Sequence, residues 1–129
     1  LSSQSIEDIM NTIEKLTTTV IGKNPQKWRN FTSHYSRVFN ASQLDFDRQL
    51  NLIIIWLQGA NKLRQNLISG FERTGLHSRM ISFNEKFPNA NIYKIILCIE
   101  EVKSLARQNL YMPLILLNML LDIQELIYE

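Results

Sequence analysis

Few side chains in this sequence have the types and spacing that catalysis or metal binding requires. His34 and His77 lie on different segments, and neither belongs to an HxxxH or HExxH pattern. Asp45 and Asp47 are two residues apart at a predicted helix start, so they face different ways and suit the helix dipole better than paired acid and base chemistry. Glycine-rich phosphate-binding patterns and the GxSxG pattern are absent. We therefore expect no enzyme, no bound metal and no cofactor.

The single cysteine, Cys98, is predicted to be a packed thiol. It lies at the edge of an apolar helical stripe, next to Ile95 and Val102. One cysteine forms no internal disulfide and has no second thiol for a zinc site, which is typical of a reducing compartment. We therefore expect a cytoplasmic protein.

The segment from Leu110 to Leu121 is the most apolar part of the chain. Pro113 and Asn118 interrupt it, and it is shorter than the run of about 20 apolar residues that a membrane-spanning helix needs. The chain also opens on polar and acidic residues, unlike a signal peptide. We therefore predict a soluble protein in which this segment is a core helix wrapped by the others.

Basic residues surround Trp28, a combination that can contact phosphates and stack on bases. Trp28 also belongs to an aromatic stripe with Phe31 and Tyr35, which favours a solvated helix start with an inward tryptophan. Nucleic-acid binding therefore stays an alternative, and it predicts affinity that falls steeply with salt. The basic residues that such a protein would use are Lys23, Lys27, Arg29, Lys62 and Arg64.

The elements that position these residues are predicted to be helices alone. The 129 residues are 45% hydrophobic and 20% charged, as in an ordinary globular domain. Glycine and proline are few, and apolar and polar residues do not alternate over strand lengths. Residues 1–129 are therefore predicted to form one compact all-α bundle of five to six helices. The predicted helices run from Ser5 to Gly22, from Pro25 after the N-cap Asn24, from Ser42 to about Ile68, from Leu76 to Phe87, from about Asn91 to Asn109, and from Pro113 towards Tyr128.

The third predicted helix has an apolar surface wider than one face. Leu52, Ile55 and Trp56 lie beside its main apolar stripe, so something else must cover them. An uncovered apolar surface on a helical domain is typical of a protein interface. We therefore predict that Trp56, with Leu52 or Ile55, contacts a neighbouring subunit.

A helix that ends in alanine, a basic residue and Asn is followed in this sequence by a short break and a Leu-rich helix. The residues of this pattern are Ala106, Asn109, Pro113 and Leu114, with LLNMLLDI from Leu116 to Ile123. Over residues from about 92 to 124 the pattern resembles the C-terminal domain of the delta-prime subunit of bacterial DNA polymerase III, a clamp-loader family. The upstream stretch LNLIIIWLQGANKLRQ is similar to that family's apolar helix with a Trp.

The resemblance implies a collar domain, the C-terminal part of a longer subunit whose ATPase-like module lies upstream. Such helical domains join the clamp-loader subunits into a pentamer that loads the sliding clamp in DNA replication. The implied partners are the other subunits, delta and gamma/tau, with DNA reached only through the assembled complex and no small-molecule substrate. The resemblance also implies structural roles for Asn109, Tyr111, Pro113 and Leu114. The alternative is a stand-alone helical interaction domain that self-associates or binds another protein.

Overall fold

The computed structural model describes residues 3–108 and 110–128, and the part of the chain that it describes is all-α. Short loops join six helices there, without a strand, which confirms the predicted fold class. The helices are α1 (Ser3–Ile21), α2 (Pro25–Ala41), α3 (Gln43–Arg64), α4 (Gly75–Lys86), α5 (Ile92–Ala106) and α6 (Met112–Ile127).

Local capping signals set most helix starts. The side chain of Asn24 accepts a hydrogen bond from the backbone N–H of Gln26 at 2.9 Å, and Pro25 occupies the first turn of α2. Ser42 Oγ accepts from the backbone N–H of Asp45 at 3.1 Å and begins α3 in the same way. Both starts confirm the prediction, because a cap depends only on residues within one turn.

The end of α3 differs from the prediction. The helix stops at Arg64 rather than near Ile68, and Asn66 adopts a positive φ of 60°. The backbone N–H of Leu67 then donates to the carbonyl of Lys62 at 2.9 Å, which closes a Schellman motif. Asparagine fills the left-handed position that glycine usually occupies, so no glycine marks this helix end.

Three other boundaries also differ from those predicted. Helix α1 already includes Ser3, two residues before its predicted start at Ser5. Helix α5 ends at Ala106, and the predicted end at Asn109 lies outside the described residues. Helix α6 begins at Met112, one residue before Pro113, which still occupies its first turn.

Helix α3 is the centre of the bundle, and this position corrects the predicted interface. It packs against α1, α2, α4 and α5, so neighbours within the chain cover its wide apolar surface. Trp56 is 1% exposed and makes an edge-to-face contact with Phe83, with ring centroids 5.2 Å apart. Leu52 is buried as well, and of the three residues only Ile55, 36% exposed, reaches the surface. The prediction that Leu52 and Trp56 face a neighbour is therefore wrong.

The guanidinium of Arg64 joins the end of α3 to the loop between α4 and α5. It donates to the side chain of Asn84 and to three backbone carbonyls that follow α4. Asn84 in turn donates its amide N–H to the carbonyl of Ala60 at 3.0 Å. The acceptors of Arg64 are Asn84 Oδ1 at 2.7 Å, Ala90 O at 2.8 Å, Pro88 O at 3.2 Å and Phe87 O.

A carboxylate organises the loop between α3 and α4. Glu72 accepts hydrogen bonds from the hydroxyl of Ser69 at 2.7 Å, from its backbone N–H at 2.8 Å and from the backbone N–H of Gly70 at 3.0 Å. Gly70 has a φ of 92°, a conformation that favours glycine. The hydroxyl of Ser69, followed by these backbone N–H groups, lowers the pKa of the Glu72 carboxyl from 4.5 to about 2.

Glu72→Gln is expected to destabilise the chain at pH 7 and to have a smaller effect in acid. A carboxyl with a lowered pKa in the folded state stabilises it fully above the unfolded pKa, near 4.5, and loses that contribution as the pH falls through about 2. The difference in stability between wild type and variant should therefore become smaller as the pH falls from about 4.5 to about 2. Urea midpoints measured from pH 7 to pH 2 test this, with Glu85→Gln on the exposed side of α4 as control. A gap independent of pH would contradict the role of the Glu72 carboxylate.

Candidate interaction surface

Helix α6 is apolar on two opposite faces. One face packs into the bundle, and its buried residues are Met112, Ile115, Leu116, Met119, Leu120, Ile123 and Ile127. The opposite face carries Leu114, Leu117 and Leu121, which we call the α6 stripe. The prediction that other helices wrap α6 is wrong, because among the described elements α6 packs closely only on α1, α2 and α5.

The leucines of the α6 stripe lie at the surface in one line. Their spacing of three and four residues places them on one helix face. Leu114 is 54% exposed and Leu121 is 48% exposed, while the charged residues Asp122 and Glu125 flank the line. The exposed Leu110, Tyr111 and Tyr128 lie before and after the stripe along the chain. Single exposed leucines are common on proteins, but an ordered line of this kind is a candidate binding surface.

A groove of about 590 Å³ runs between α2 and α6, and we call it the α2–α6 groove. Its lining is mostly apolar. The indole of Trp28 is half-buried there and donates its N–H to the carbonyl of Gly22 at 3.2 Å, so the ring is held in place. The apolar residues of the lining are Pro25, Trp28, Tyr111, Pro113, Leu114 and Leu117.

Polar groups lie at the edges of the α2–α6 groove. Lys23 and Arg29 contribute positive charge, and no aspartate or glutamate is among the lining residues. Gln124 also lines the groove and donates its amide N–H to the carbonyl of Val20 at 2.9 Å, which ties α6 to the end of α1. An apolar floor with a few polar groups at its rim suits the apolar face of a partner helix.

The four residues for which structural roles were predicted do not all have the same surroundings in the structure. Pro113 lies in the first turn of α6, in agreement with its predicted structural role. Tyr111 precedes that turn, but its side chain makes no capping hydrogen bond and is 73% exposed. Leu114 belongs to the α6 stripe, so Tyr111 and Leu114 are surface residues of the groove rather than packing residues. Asn109 lies outside the described residues.

The sequence contains a signal for this surface, but the same apolar pattern also predicts a fully buried core helix. The segment from Leu110 to Leu121 is apolar on nearly every side, and such a helix is equally compatible with full burial and with a second, exposed apolar face. Only the number of neighbours around the helix distinguishes these cases. Pattern alone therefore placed the interface on α3, whereas packing places the exposed leucines on α6.

The basic residues of the nucleic-acid alternative do not act as one set. Lys23, Lys27 and Arg29 lie around the start of α2 and are exposed. The guanidinium N–H groups of Arg64 donate hydrogen bonds to Asn84 and to the carbonyl of Ala90, so they are not available to a phosphate. Trp28 is partly buried against the core, in agreement with the predicted inward orientation, although one side of the ring borders the groove.

Chemically reactive groups are sparse in the described residues. Within 3–108 and 110–128, no group of three or more His, Cys, Asp or Glu side chains is placed to hold a metal ion. His34 on α2 and His77 on α4 are partly buried. Burial, followed by the nearby Asp122 and Glu101, raises the pKa of the Cys98 thiol to about 11, so the thiol is a poor nucleophile at neutral pH. None of the helices in these ranges is long and apolar enough to cross a lipid bilayer.

The α6 stripe and the α2–α6 groove are therefore the apolar surface most suited to binding another protein. Together they offer exposed leucines, an aromatic wall and a positively charged rim. Comparison with known proteins assigns no function to this surface. No protein-family model, no curated protein and no solved structure matches the chain.

Proposed function

We propose that this chain is an oligomerisation domain of the clamp-loader collar type, which joins helical domains of neighbouring subunits in the complex that loads the sliding clamp in DNA replication. The observation that carries the proposal is the α6 stripe, an ordered line of exposed leucines beside an apolar groove. Other subunits of the delta and gamma/tau kind would cover this surface. In this role the chain binds the other subunits, and the assembled complex loads the clamp onto DNA.

The chemistry of the surface supports contact with a helix. A partner helix that lies along α6 meets Leu114 and Leu121 two turns apart, and its side chains enter the groove beside Trp28. Large apolar and aromatic side chains contribute most of the energy of protein interfaces once water is excluded around them. The ring of Trp28 is already fixed by its hydrogen bond to Gly22, so its side chain needs little additional ordering on binding.

The resemblance to the delta-prime family supports the more specific part of the proposal. The residues that carry it lie from the end of α5 through α6, and Leu114 and Leu121 belong both to the resemblance and to the α6 stripe. The same helix thus combines the family-like pattern with the exposed surface. Apolar residues on the buried face of α6 form part of the core of the bundle. The proposed interface accounts for the apolar residues on the exposed face.

Leu114→Glu/Leu121→Glu is expected to weaken the association with partner subunits roughly a hundredfold, which corresponds to about 2.7 kcal/mol. The substitutions place two carboxylates in an apolar interface, where their desolvation is unfavourable. Co-elution with the delta and gamma/tau subunits of the same organism on size exclusion, followed by titration, measures the change. Because both leucines are about half exposed, helicity and the urea midpoint should stay close to those of wild type.

The matched control is Leu44→Glu, since Leu44 is 84% exposed on α3 and lies outside the stripe and the groove. This variant should assemble as wild type does. Equal assembly of all three proteins would contradict the proposal. If wild type binds none of the subunits but sediments alone as a dimer that the double substitution dissociates, the stand-alone interaction domain replaces the collar.

A further inference from the structure

A long stretch of this chain has positive charge without any negative charge. Residues 15–44, which include the end of α1 and all of α2, contain five Lys or Arg residues and no Asp or Glu. The five residues are Lys15, Lys23, Lys27, Arg29 and Arg37, and all are exposed. The chain as a whole has 14 basic and 12 acidic residues, so the positive charge is concentrated here although the net charge is only +2.

Three of these cations meet in one depression of about 390 Å³ between α1 and α2. We call it the basic pocket, and its charged residues are Lys15, Lys27 and Arg37. Asn30 and His34 line the same pocket, and no carboxylate is among the lining residues. Lys27 and Arg37 are ten residues apart on α2, which is about 15 Å along the helix axis at 1.5 Å per residue.

Two carboxylates that precede this region on α1 pair with other helices. Asp8 lies 3.6 Å from Arg48 of α3, and Glu14 lies 3.7 Å from Arg79 of α4. Within the described residues, no salt bridge involves the three cations of the basic pocket. None of the three is therefore paired with a carboxylate of the described residues, and their charge is available to a negatively charged partner.

The pKa of His34 is consistent with the positive charge of the basic pocket. Burial, followed by the nearby cations Lys15 and Arg37, lowers the pKa of His34 from 6.5. The imidazole is thus mostly neutral at pH 7, so the charge of the pocket comes from the lysines and the arginine. A bound phosphate would lie against ammonium and guanidinium groups, which form strong charge-assisted hydrogen bonds with it.

We propose that the basic pocket binds the phosphodiester backbone of a nucleic acid without reading its bases. Each strand of a duplex carries one phosphate per about 3.4 Å of the duplex axis, so a length of about 15 Å spans several phosphates. The aromatic residues that line the pocket, Phe31 and Tyr35, are buried and present no exposed ring for base stacking. The contact is therefore with phosphates, and it is independent of sequence.

The composition of the pocket favours a nucleic acid over a membrane surface. Helices that lie on membranes insert exposed apolar side chains below the lipid headgroups. Residues exposed at the rim of the basic pocket are polar or charged, and the exposed leucines of the chain that we identify as a binding surface lie on α6. The pocket shares no lining residue with the α2–α6 groove, so this inference goes beyond the proposed function and does not depend on it.

Fluorescence anisotropy with a labelled 20-base-pair DNA duplex tests the inference. With about four phosphate contacts the affinity of wild type should fall roughly a hundredfold between 50 and 200 mM NaCl. Lys27→Glu/Arg37→Glu should weaken binding at 50 mM NaCl at least about tenfold and flatten the salt dependence. A second duplex of unrelated sequence should bind with the same affinity.

The matched control is Arg73→Glu/Lys94→Glu, which changes the net charge equally at exposed positions outside α1 and α2. It should retain most of the affinity. Equal losses in both double variants would overturn the basic pocket as the site, since net charge alone would explain the binding. The absence of duplex binding by wild type at 50 mM NaCl, or binding only to phosphatidylserine vesicles, would overturn the inference. If the chain fails to assemble with partner subunits, the proposed function is contradicted but this inference is not, because the basic pocket and the α6 stripe consist of different residues.

Discussion

Trp56→Ala is expected to lower the free energy of unfolding by about 3–5 kcal/mol, the range for removing a large aromatic side chain from a packed core. Trp56 is 1% exposed at the centre of the bundle and contacts Phe83 edge to face. The substitution removes this contact and leaves a cavity that the surrounding helices fill only in part. Urea denaturation followed by circular dichroism measures the loss.

The control for this prediction is Ile55→Ala, one residue earlier on α3. Ile55 is 36% exposed, so its truncation should cost clearly less than that of Trp56. A Trp56→Ala chain as stable as wild type would contradict the central position of α3. The substitution also fails as a test of an interface, because a variant that unfolds loses assembly for a reason unrelated to contact with a partner.

Arg64→Ala is expected to lower the free energy of unfolding by about 2–4 kcal/mol, since hydrogen bonds to charged groups contribute roughly 1.5–3 kcal/mol each and lost partners add a cost. Arg64 donates to Asn84 and to three carbonyls around the end of α4. Without the guanidinium, these carbonyls lose a side-chain donor near the helix end, where positive charge also suits the helix dipole. Urea midpoints of the variant and wild type measure the effect.

Two further substitutions separate the geometry of Arg64 from its charge. Arg64→Lys keeps the charge but has no planar fork to reach several acceptors at once, so it should recover only a minor part of the loss. Lys62→Ala, on an exposed position of the same helix turn, should change stability by less than about 0.5 kcal/mol. Full rescue by lysine would contradict the role of the multiple hydrogen bonds.

Trp56 and Arg64 stabilise the fold and lie outside the two candidate binding surfaces. Trp56 and Arg64 hold α3, α4 and the loop before α5 together from inside the bundle. Helix α6 contributes one face to the core and exposes the opposite face. The substitutions that test function therefore belong on the α6 stripe and the basic pocket, where exposed side chains change without loss of the fold.

Helix content and most helix starts followed from the sequence alone. Apolar residues at intervals of three and four predict helices, and the caps at Asn24 and Ser42 act within one turn, so both signals are complete in the local sequence. Helix ends were less predictable. Asn66 closes α3 in a left-handed conformation that asparagine adopts only in a suitable context, and this end was missed.

The exposed surface and the use of individual charged groups were decided by tertiary structure. Two helices of this chain are apolar around most of their circumference, α3 and α6, and their sequences do not state which one has fewer neighbours. Four helices surround α3 and bury Trp56, whereas three contact α6 and leave Leu114 and Leu121 in solvent. Arg64 likewise looks like a free surface cation in the sequence, but the fold brings carbonyls from 23 to 26 residues away to its guanidinium. The physical reason is the same in each case: burial and hydrogen bonding depend on residues distant in the chain, which a local pattern does not contain.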